Sequence, residues 1–272
     1  MSDQVHSTDV LLQSWDGGVL TLTLNRPDKF NAFNIAMHAA LAQALTNART
    51  NDACRVIILT GTGRGFCAGQ DLSDRAVSPN ATERPDLGES MEKRYNPLIR
   101  AIKAMPKPVI CAVNGAAAGA GANIALACDI VIAARSAKFL QAFARLGLLP
   151  DCGGTWALPR LVGEARARAL ILLAEPIGAE QAEAWGMIHR AVDDASLMTE
   201  ARAIANKLAV GPTYGYALIK QALDASATNT LDAQLDLERD LQRLAGSTDD
   251  YAEGTRAFMD KRAPKFTGQG PK

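Results

Sequence analysis

Val19-Leu20-Thr21-Leu22-Thr23-Leu24-Asn25 alternates apolar and polar positions with a period of two, which predicts a strand with one buried face. Asp16-Gly17-Gly18 just before it reads as a tight turn, so the chain opens with a hairpin. After Arg26-Pro27 the period changes, and Ile35, His38, Leu41, Ala42 and Leu45 recur at helical spacing between Asn34 and Arg49. The run Arg55-Val56-Ile57-Ile58-Leu59-Thr60 is continuously apolar at its centre, as expected of a parallel strand covered on both faces. The same rhythm returns at Val109-Ile110-Cys111-Ala112-Val113, a helix near Gly119 to Cys128, and Ile130-Val131-Ile132-Ala133. The middle of the chain is therefore α/β, without a repeat of fixed length. From Ser73 to Pro97 the sequence is polar, with Pro79, Pro85 and Gly88, and predicts an active-site lid or a loop leading into a helix.

From about Leu197 onward only amphipathic helices are expected. Leu231, Leu235, Leu241 and Leu244 precede a stop at Gly246, and Ser247-x-x-Asp250 has the form of a capping box for the last helix. Helices without strands need a partner surface, which is either the chain's own sheet or another subunit. The pattern thus divides the chain into a core over 1–196 and a helical region over 197–272.

The 272 residues suffice for an ordinary hydrophobic core. Lys plus Arg and Asp plus Glu balance at 29 each, which argues against nucleic acid or anionic lipid as partners and makes any anion site local. Five scattered cysteines without a C-x-x-C pair fit a reducing compartment better than a disulfide framework or a zinc site. The N-terminal MSDQVHSTDV has neither a basic nor an apolar signal segment, and no stretch approaches the length of a membrane span. A cytoplasmic protein without a membrane anchor or bound metal is expected. His6, His38 and His189 stand far apart and read as surface or packing residues.

Three segments carry candidate chemistry. Gly61-Thr62-Gly63-Arg64-Gly65-Phe66-Cys67-Ala68-Gly69-Gln70-Asp71-Leu72 follows a buried strand, and its glycines allow backbone amides to approach an anion; a plain glycine-rich turn fits as well. Asn114-Gly115-Ala116-Ala117-Ala118-Gly119-Ala120-Gly121-Ala122-Asn123 opens a helix whose first amides lack intrahelical partners, although its small residues also suit a tightly packed helix. A dinucleotide fingerprint is incomplete there, because Ile124 stands where the third glycine belongs. In Leu146-Gly147-Leu148-Leu149-Pro150-Asp151-Cys152-Gly153-Gly154-Thr155-Trp156 an acid sits in an apolar turn. Desolvation would raise its pKa toward that of a useful base, while a turn or helix-capping role fits Asp151 equally. No G-x-S-x-G, G-x-x-x-x-G-K-[ST] or H-E-x-x-H motif occurs, which removes the commonest hydrolase, nucleotide-phosphate and zinc-protease readings.

In this order the A-G-x-D-L, N-G-x-x-x-G-x-G and G-x-x-P-x-x-G-G-T segments resemble the crotonase, or enoyl-CoA hydratase/isomerase, superfamily, from about Val10 to the Phe258-Met259-Asp260-Lys261-Arg262 segment. The resemblance implies an α/β spiral of ββα units, a helical C-terminal trimerisation region, and a homotrimer or dimer of trimers. Its substrate would be a coenzyme A thioester, so coenzyme A enters as part of the substrate and no separate cofactor is expected. Carried over by motif, the amides of Gln70 and Ala120 form the oxyanion hole. Lys29, Ala68, Gly69, Asp71, Gly119, Gly121, Asn123 and Phe143 line the substrate site, and Phe258 and Lys261 reach the coenzyme A of a neighbouring subunit.

The two glutamates that activate water in hydratases of this family are replaced by Asn123 and Phe143, leaving Asp151 at the position where isomerase branches carry their acid. A closer resemblance still is to the branch acting in aerobic phenylacetate degradation, carried by Gly65 to Leu72, Pro150 to Trp156 and Thr230 to Asp240. It implies conversion of ring-1,2-epoxyphenylacetyl-CoA to oxepin-CoA, a shift of 3-enoyl to 2-enoyl double bonds, and association with other crotonases of that pathway. Three alternatives stay open: a general 3-enoyl/2-enoyl-CoA isomerase of fatty-acid oxidation, a crotonase using Asp151 as nucleophile, and a noncatalytic acyl-CoA-binding protein.

Overall fold

The computed structural model describes residues 8–75 and 86–271. His6 and residues 76–85 of the polar stretch lie outside the described residues. The opening hairpin joins β1 (Leu11–Asp16) to β2 (Val19–Leu24), with Asp16 opposite Val19 and φ of 53° and 88° at Gly17 and Gly18. Positive φ at both turn residues matches the right-handed twist of the flanking strands, which is why glycine occupies both. Next comes α1 (Ile35–Thr50), started by Asn34, whose side chain accepts from the Met37 amide.

There follow β3 (Val56–Gly61), β4 (Gly65–Cys67), α2 (Leu87–Ser90), a π-helical turn over Met91–Tyr95, and α3 (Asn96–Lys103). The centre comprises β5 (Val109–Val113), β6 (Ala116–Ala118), α4 (Ala120–Leu126), β7 (Ile130–Ala134), β8 (Lys138–Leu140), α5 (Gly154–Val162) and α6 (Glu164–Leu173). The chain finishes with β9 (Ile177–Gly178), α7 (Ala179–Ala184), β10 (Arg190–Val192), α8 (Leu197–Ala209), α9 (Thr213–Ser226), α10 (Leu231–Gly246) and α11 (Asp249–Met259).

The strands form a six-stranded sheet, β1-β2-β3-β5-β7-β10, and a four-stranded sheet, β4-β6-β8-β9. From β2 to β10 the large sheet is parallel. Each pass of the chain lays a strand in the large sheet and then a short one in the small sheet: β3 then β4, β5 then β6, β7 then β8. Parallel pairing in the small sheet stacks the segments that leave β4 and β6 beside one another. This stacking places the two glycine-rich segments together although some fifty residues of sequence separate them.

β2 departs from its alternating pattern. Thr21 is buried along with Val19, Leu20, Leu22 and Leu24, because α1 and α8 both pack against this strand. The helix α8 also packs on β3, β5 and β7 and buries Leu197, Ala201, Ala205 and Ala209 in the main core. Beyond it, Ile219 and Leu223 on α9, Leu231, Leu235 and Leu244 on α10, and Tyr251, Phe258 and Met259 on α11 remain exposed. Lys220 ties α9 back to the spiral by donating to the Lys107 carbonyl at 3.1 Å and to Asp129 Oδ2 at 2.6 Å.

The last helix is capped one residue later than expected: Thr248, not Ser247, accepts from the Tyr251 amide. Asp250 instead accepts from the amides of Thr267 and Gly268, which draws the C-terminal tail against α11. Buried His38 packs 4.7 Å from the Phe33 ring and 4.4 Å from the Tyr95 ring, whereas His189 is exposed. All five cysteines are buried and unbridged. Among the described residues no helix is long and apolar enough to cross a membrane, and no cluster of His, Cys, Asp and Glu could hold a metal ion.

Candidate active site

The segment leaving β4 is held by a single parallel bridge between Phe33 and Gln70. Phe33 donates to the Gly69 carbonyl at 2.7 Å and the Asp71 amide donates to the Phe33 carbonyl at 2.9 Å. Successive amides of extended backbone point to opposite sides, so the Gln70 amide faces away from Phe33. Across from it α4 begins at Ala120, and the Asn123 amide makes the first intrahelical bond, to the Gly119 carbonyl at 3.2 Å. The Ala120 amide precedes that bond and has no intrahelical acceptor.

The contact between the two segments requires glycine. A Cβ on Gly69, whose φ is 89°, would lie 2.9 Å from the Ala118 carbonyl oxygen and 3.3 Å from the Ala120 amide nitrogen. A Cβ on Gly121 would lie 2.2 Å from the Cys67 carbonyl oxygen. Gly121, expected as a substrate contact, thus meets the backbone of β4. Gly119, with φ of 53°, lies beside the Phe143 ring, which would stand 3.7 Å from an added Cβ. Burial pushes the Cys67 thiol up to about 12, so it stays neutral beneath these amides.

The Gln70 side chain has structural partners that its motif did not announce. Its Nε2 donates to the carbonyls of Phe33 and Asp71, both at 3.1 Å, and its Oε1 accepts from the Tyr95 hydroxyl at 2.9 Å. The loop is thereby tied to the π-helical turn, an irregularity often found near functional sites. Asp71, also expected to contact substrate, has protein partners: its Oδ2 pairs with Arg26 at 2.8 Å and its Oδ1 accepts from the Ser73 amide at 3.0 Å. Hydrogen bonds from Ser73 and Arg26 hold its carboxyl well below the ordinary 3.8, at about 2. Arg26 also donates to the Ala32 carbonyl, so it braces the loop around Lys29. Lys29 itself is exposed at the end of a short 3-10 turn, and the neighbouring Phe30 carbonyl accepts from the Ala68 amide at 2.9 Å. The resemblance-derived coenzyme A contacts Lys29 and Ala68 are therefore adjacent.

Asp151 precedes α5 in a turn where Cys152 and Gly153 take φ of 52° and 75°. The residue is half-buried and its Oδ1 is withdrawn from solvent. Its carbonyl accepts from the Gly154 amide at 2.9 Å and from Asn123 Nδ2 at 2.8 Å. Asn123 Oδ1 accepts from Gln141 Nε2, also at 2.8 Å. Asn123, expected to line the substrate site, is only 2% exposed and has both ends of its amide engaged by protein. Gln141 and Tyr95 were not singled out by sequence; the one available signal for Gln141 was a lone amide among Phe139, Leu140, Ala142 and Phe143. Phe258 stands exposed in the last turn of α11, which packs against α10, and Lys261 is exposed just beyond that helix.

The model of the enoyl-CoA hydratase/isomerase family matches residues 15–269. The chain belongs to that family. It is 59% identical, over 96% of its length and 99% of the relative's, to the 1,2-epoxyphenylacetyl-CoA isomerase of Escherichia coli strain K12. It is 36% identical, over 95% and 98%, to the trans-2-decenoyl-[acyl-carrier-protein] isomerase of Streptococcus mutans. Among solved structures, an enoyl-CoA hydratase of Mycobacterium smegmatis superposes with a TM-score of 0.87 at 31% identity, covering 95% of this chain and 99% of that one. The family fold of mixed sheets with a helical C-terminal region is the one described above.

Within this enoyl-CoA hydratase/isomerase site the Asp71 pairing has a pH consequence. A carboxyl whose folded pKa is depressed adds stability above its unfolded value and loses it as pH falls through the folded one. For Asp71 that window runs from the ordinary 3.8 down to about 2. Melting temperatures measured across it should fall more steeply for the wild type than for Asp71→Asn, which is destabilised at neutral pH and has no such contribution left to lose.

Proposed function

We propose that the protein is an acyl-CoA isomerase that converts ring-1,2-epoxyphenylacetyl-CoA to oxepin-CoA and also shifts 3-enoyl to 2-enoyl-CoA double bonds. The observation that carries this reading is that Asn123, engaged by protein at both ends of its amide, and an apolar Phe143 stand where the resemblance puts the hydratase glutamates, which, with Asp71 tied to Arg26 and Ser73, leaves Asp151 as the candidate acid. The 59% identity to an epoxyphenylacetyl-CoA isomerase supports the aromatic substrate, and the similarity to a decenoyl isomerase supports the double-bond shift.

In the proposed mechanism the Gln70 and Ala120 amides receive the thioester oxygen, each contributing about 3 kcal/mol as its charge develops. Asp151 removes a proton from C2 of a 3-enoyl thioester, the electrons delocalise into a dienolate, and the same carboxyl returns a proton at C4. One group suffices because proton removal and return occur on one conjugated system. Water addition would require a second acid-base group to activate and orient water. For the ring epoxide, the same amides stabilise charge on the thioester while the ring opens to the oxepin, with a smaller contribution from Asp151.

Coenzyme A would be held by the Lys29 and Ala68 loops and by Phe258 and Lys261 of a neighbouring subunit. The reading includes a homotrimer or a dimer of trimers in the cytoplasm; the exposed apolar residues on α9 to α11 support a surface that packs against another subunit.

Asp151→Asn keeps size and removes the base, so 3-enoyl isomerisation should fall by roughly 10² to 10⁴-fold. Thioester affinity measured on the same protein should change little, and epoxide conversion should fall less than enoyl isomerisation. Near wild-type enoyl isomerisation by a folded variant would exclude Asp151 as the base. With crotonyl-CoA, hydration by the wild type should be negligible beside isomerase turnover, and comparable rates would sink the assignment of Asn123 and Phe143. Sedimentation of active enzyme should give a trimer or hexamer; a fully active monomer would overturn the shared coenzyme A site.

A further inference from the structure

The Asn123 and Gln141 amides have no part in the proton transfer, yet they form a buried chain that ends on the backbone of Asp151. Gln141 is 4% exposed, and its Nε2 donates to Asn123 Oδ1, whose Nδ2 in turn donates to the Asp151 carbonyl. The polarity of this chain is dictated by chemistry. A backbone carbonyl can only accept, so Asn123 must turn its NH2 toward Asp151; its oxygen is then left to accept, so Gln141 must also present its NH2.

The chain starts and ends at points that matter for the reaction. Asn123 lies in the first turn of α4, three residues after Ala120, so Asp151 is referenced to the same helical turn as one of the oxyanion amides. Gln141 directly follows β8, whose last residue, Leu140, accepts from the Gly119 amide at 2.8 Å. The end of β8 therefore braces the start of α4 through backbone and side chain together. The turn being held is unusual for its residue type, because Cys152 has a φ of 52° in the region that favours glycine. There is no slack on the other side, since a Cβ on Gly154 would lie 2.3 Å from Asn123 Nδ2.

We infer that Asn123 and Gln141 are positioning residues: a one-way amide relay that sets Asp151 relative to the oxyanion amide of Ala120. This rests on the reading of Asp151 as the base. The asparagine at the hydratase glutamate position is then neither a vestige nor a substrate contact, but the link that converts a water-activating position into a support for a different acid.

Gln141→Glu tests the relay with almost no change of shape. A protonated glutamic acid can donate to Asn123 Oδ1, and an ionised one cannot. Isomerisation of a 3-enoyl thioester would be followed from acidic to alkaline pH for the wild type, Gln141→Glu, Gln141→Leu and Asn123→Leu, with Asp151→Asn alongside. In Gln141→Glu, kcat relative to wild type should be highest at the acidic end and fall by about tenfold as the new carboxyl ionises, reversibly and with KM within about twofold. Gln141→Leu and Asn123→Leu should lose kcat at every pH.

A Gln141→Glu profile that parallels the wild type, while Asp151→Asn is inactive, overturns the relay and leaves the base intact. Isomerisation surviving in Asp151→Asn overturns the base, and the relay with it. Should the leucine variants fail to fold, the reversible pH response of Gln141→Glu still decides.

Discussion

Gly121 and Cys67 meet with the helix backbone against the strand backbone, and Gly69 meets Ala118 and Ala120 in the same way. A methyl group at either glycine would fall inside van der Waals contact with a carbonyl oxygen, and backbone cannot move aside as a flexible side chain can. The direction of the Gln70 and Ala120 amides depends on this approach. Forcing the segments apart would redirect both, because Gln70 is carried by the bridge to Phe33 and Ala120 by the first turn of α4. Under the proposed mechanism, the service of the spiral is to bring the ends of β4 and β6 to this distance.

Charge around the contact is largely settled within the protein. Arg26 neutralises Asp71, and the Cys67 thiol stays protonated because burial disfavours the thiolate. The Gln70 side chain is bound to two carbonyls and the Tyr95 hydroxyl. Under the proposed mechanism, a developing oxyanion therefore meets backbone dipoles that were oriented before substrate arrived, the condition under which such donors are most effective.

Much of this was legible in sequence where backbone conformation is tied to residue type. The Gly17-Gly18 hairpin, the Asn34 start of α1, the continuous apolar β3 and the glycine-rich exits from β4 and β6 follow from local chemistry. Readings failed where a distant element decided the outcome. Thr21 matched a solvent face until α1 and α8 were seen to cover β2. For Asp71 the motif gives no sign of its ion-pair partner, because Arg26 is 45 residues away in sequence. Ser247 fitted a capping box, yet it closes α10, its hydroxyl donating to the Leu244 carbonyl, and the extended Thr248 takes the cap of α11. The Asn123 to Asp151 bond spans 28 residues and the Gln141 to Asn123 bond 18, and neither amide has a periodicity to betray it.

If Phe143 and Asn123 stand where the resemblance puts the hydratase carboxylates, as the proposed function holds, their chemistry has a consequence beyond the absence of two catalytic groups. A water molecule held for addition needs polar partners on the reacting face of the substrate. At one of these two positions Phe143 turns an apolar ring toward Gly119; at the other, Asn123 donates to the Asp151 carbonyl and accepts from Gln141. Neither retains an acceptor suited to deprotonating water. A dienolate formed in such surroundings has two outcomes, return of the proton to the carbon it left or delivery to the far end of the conjugated system. Under the proposed mechanism isomerisation follows as much from the absence of groups that would orient water as from the acid that moves the proton, and one of the two hydrogen bonds on the Asp151 carbonyl, the other being from the Gly154 amide, comes from the residue at one of those two positions.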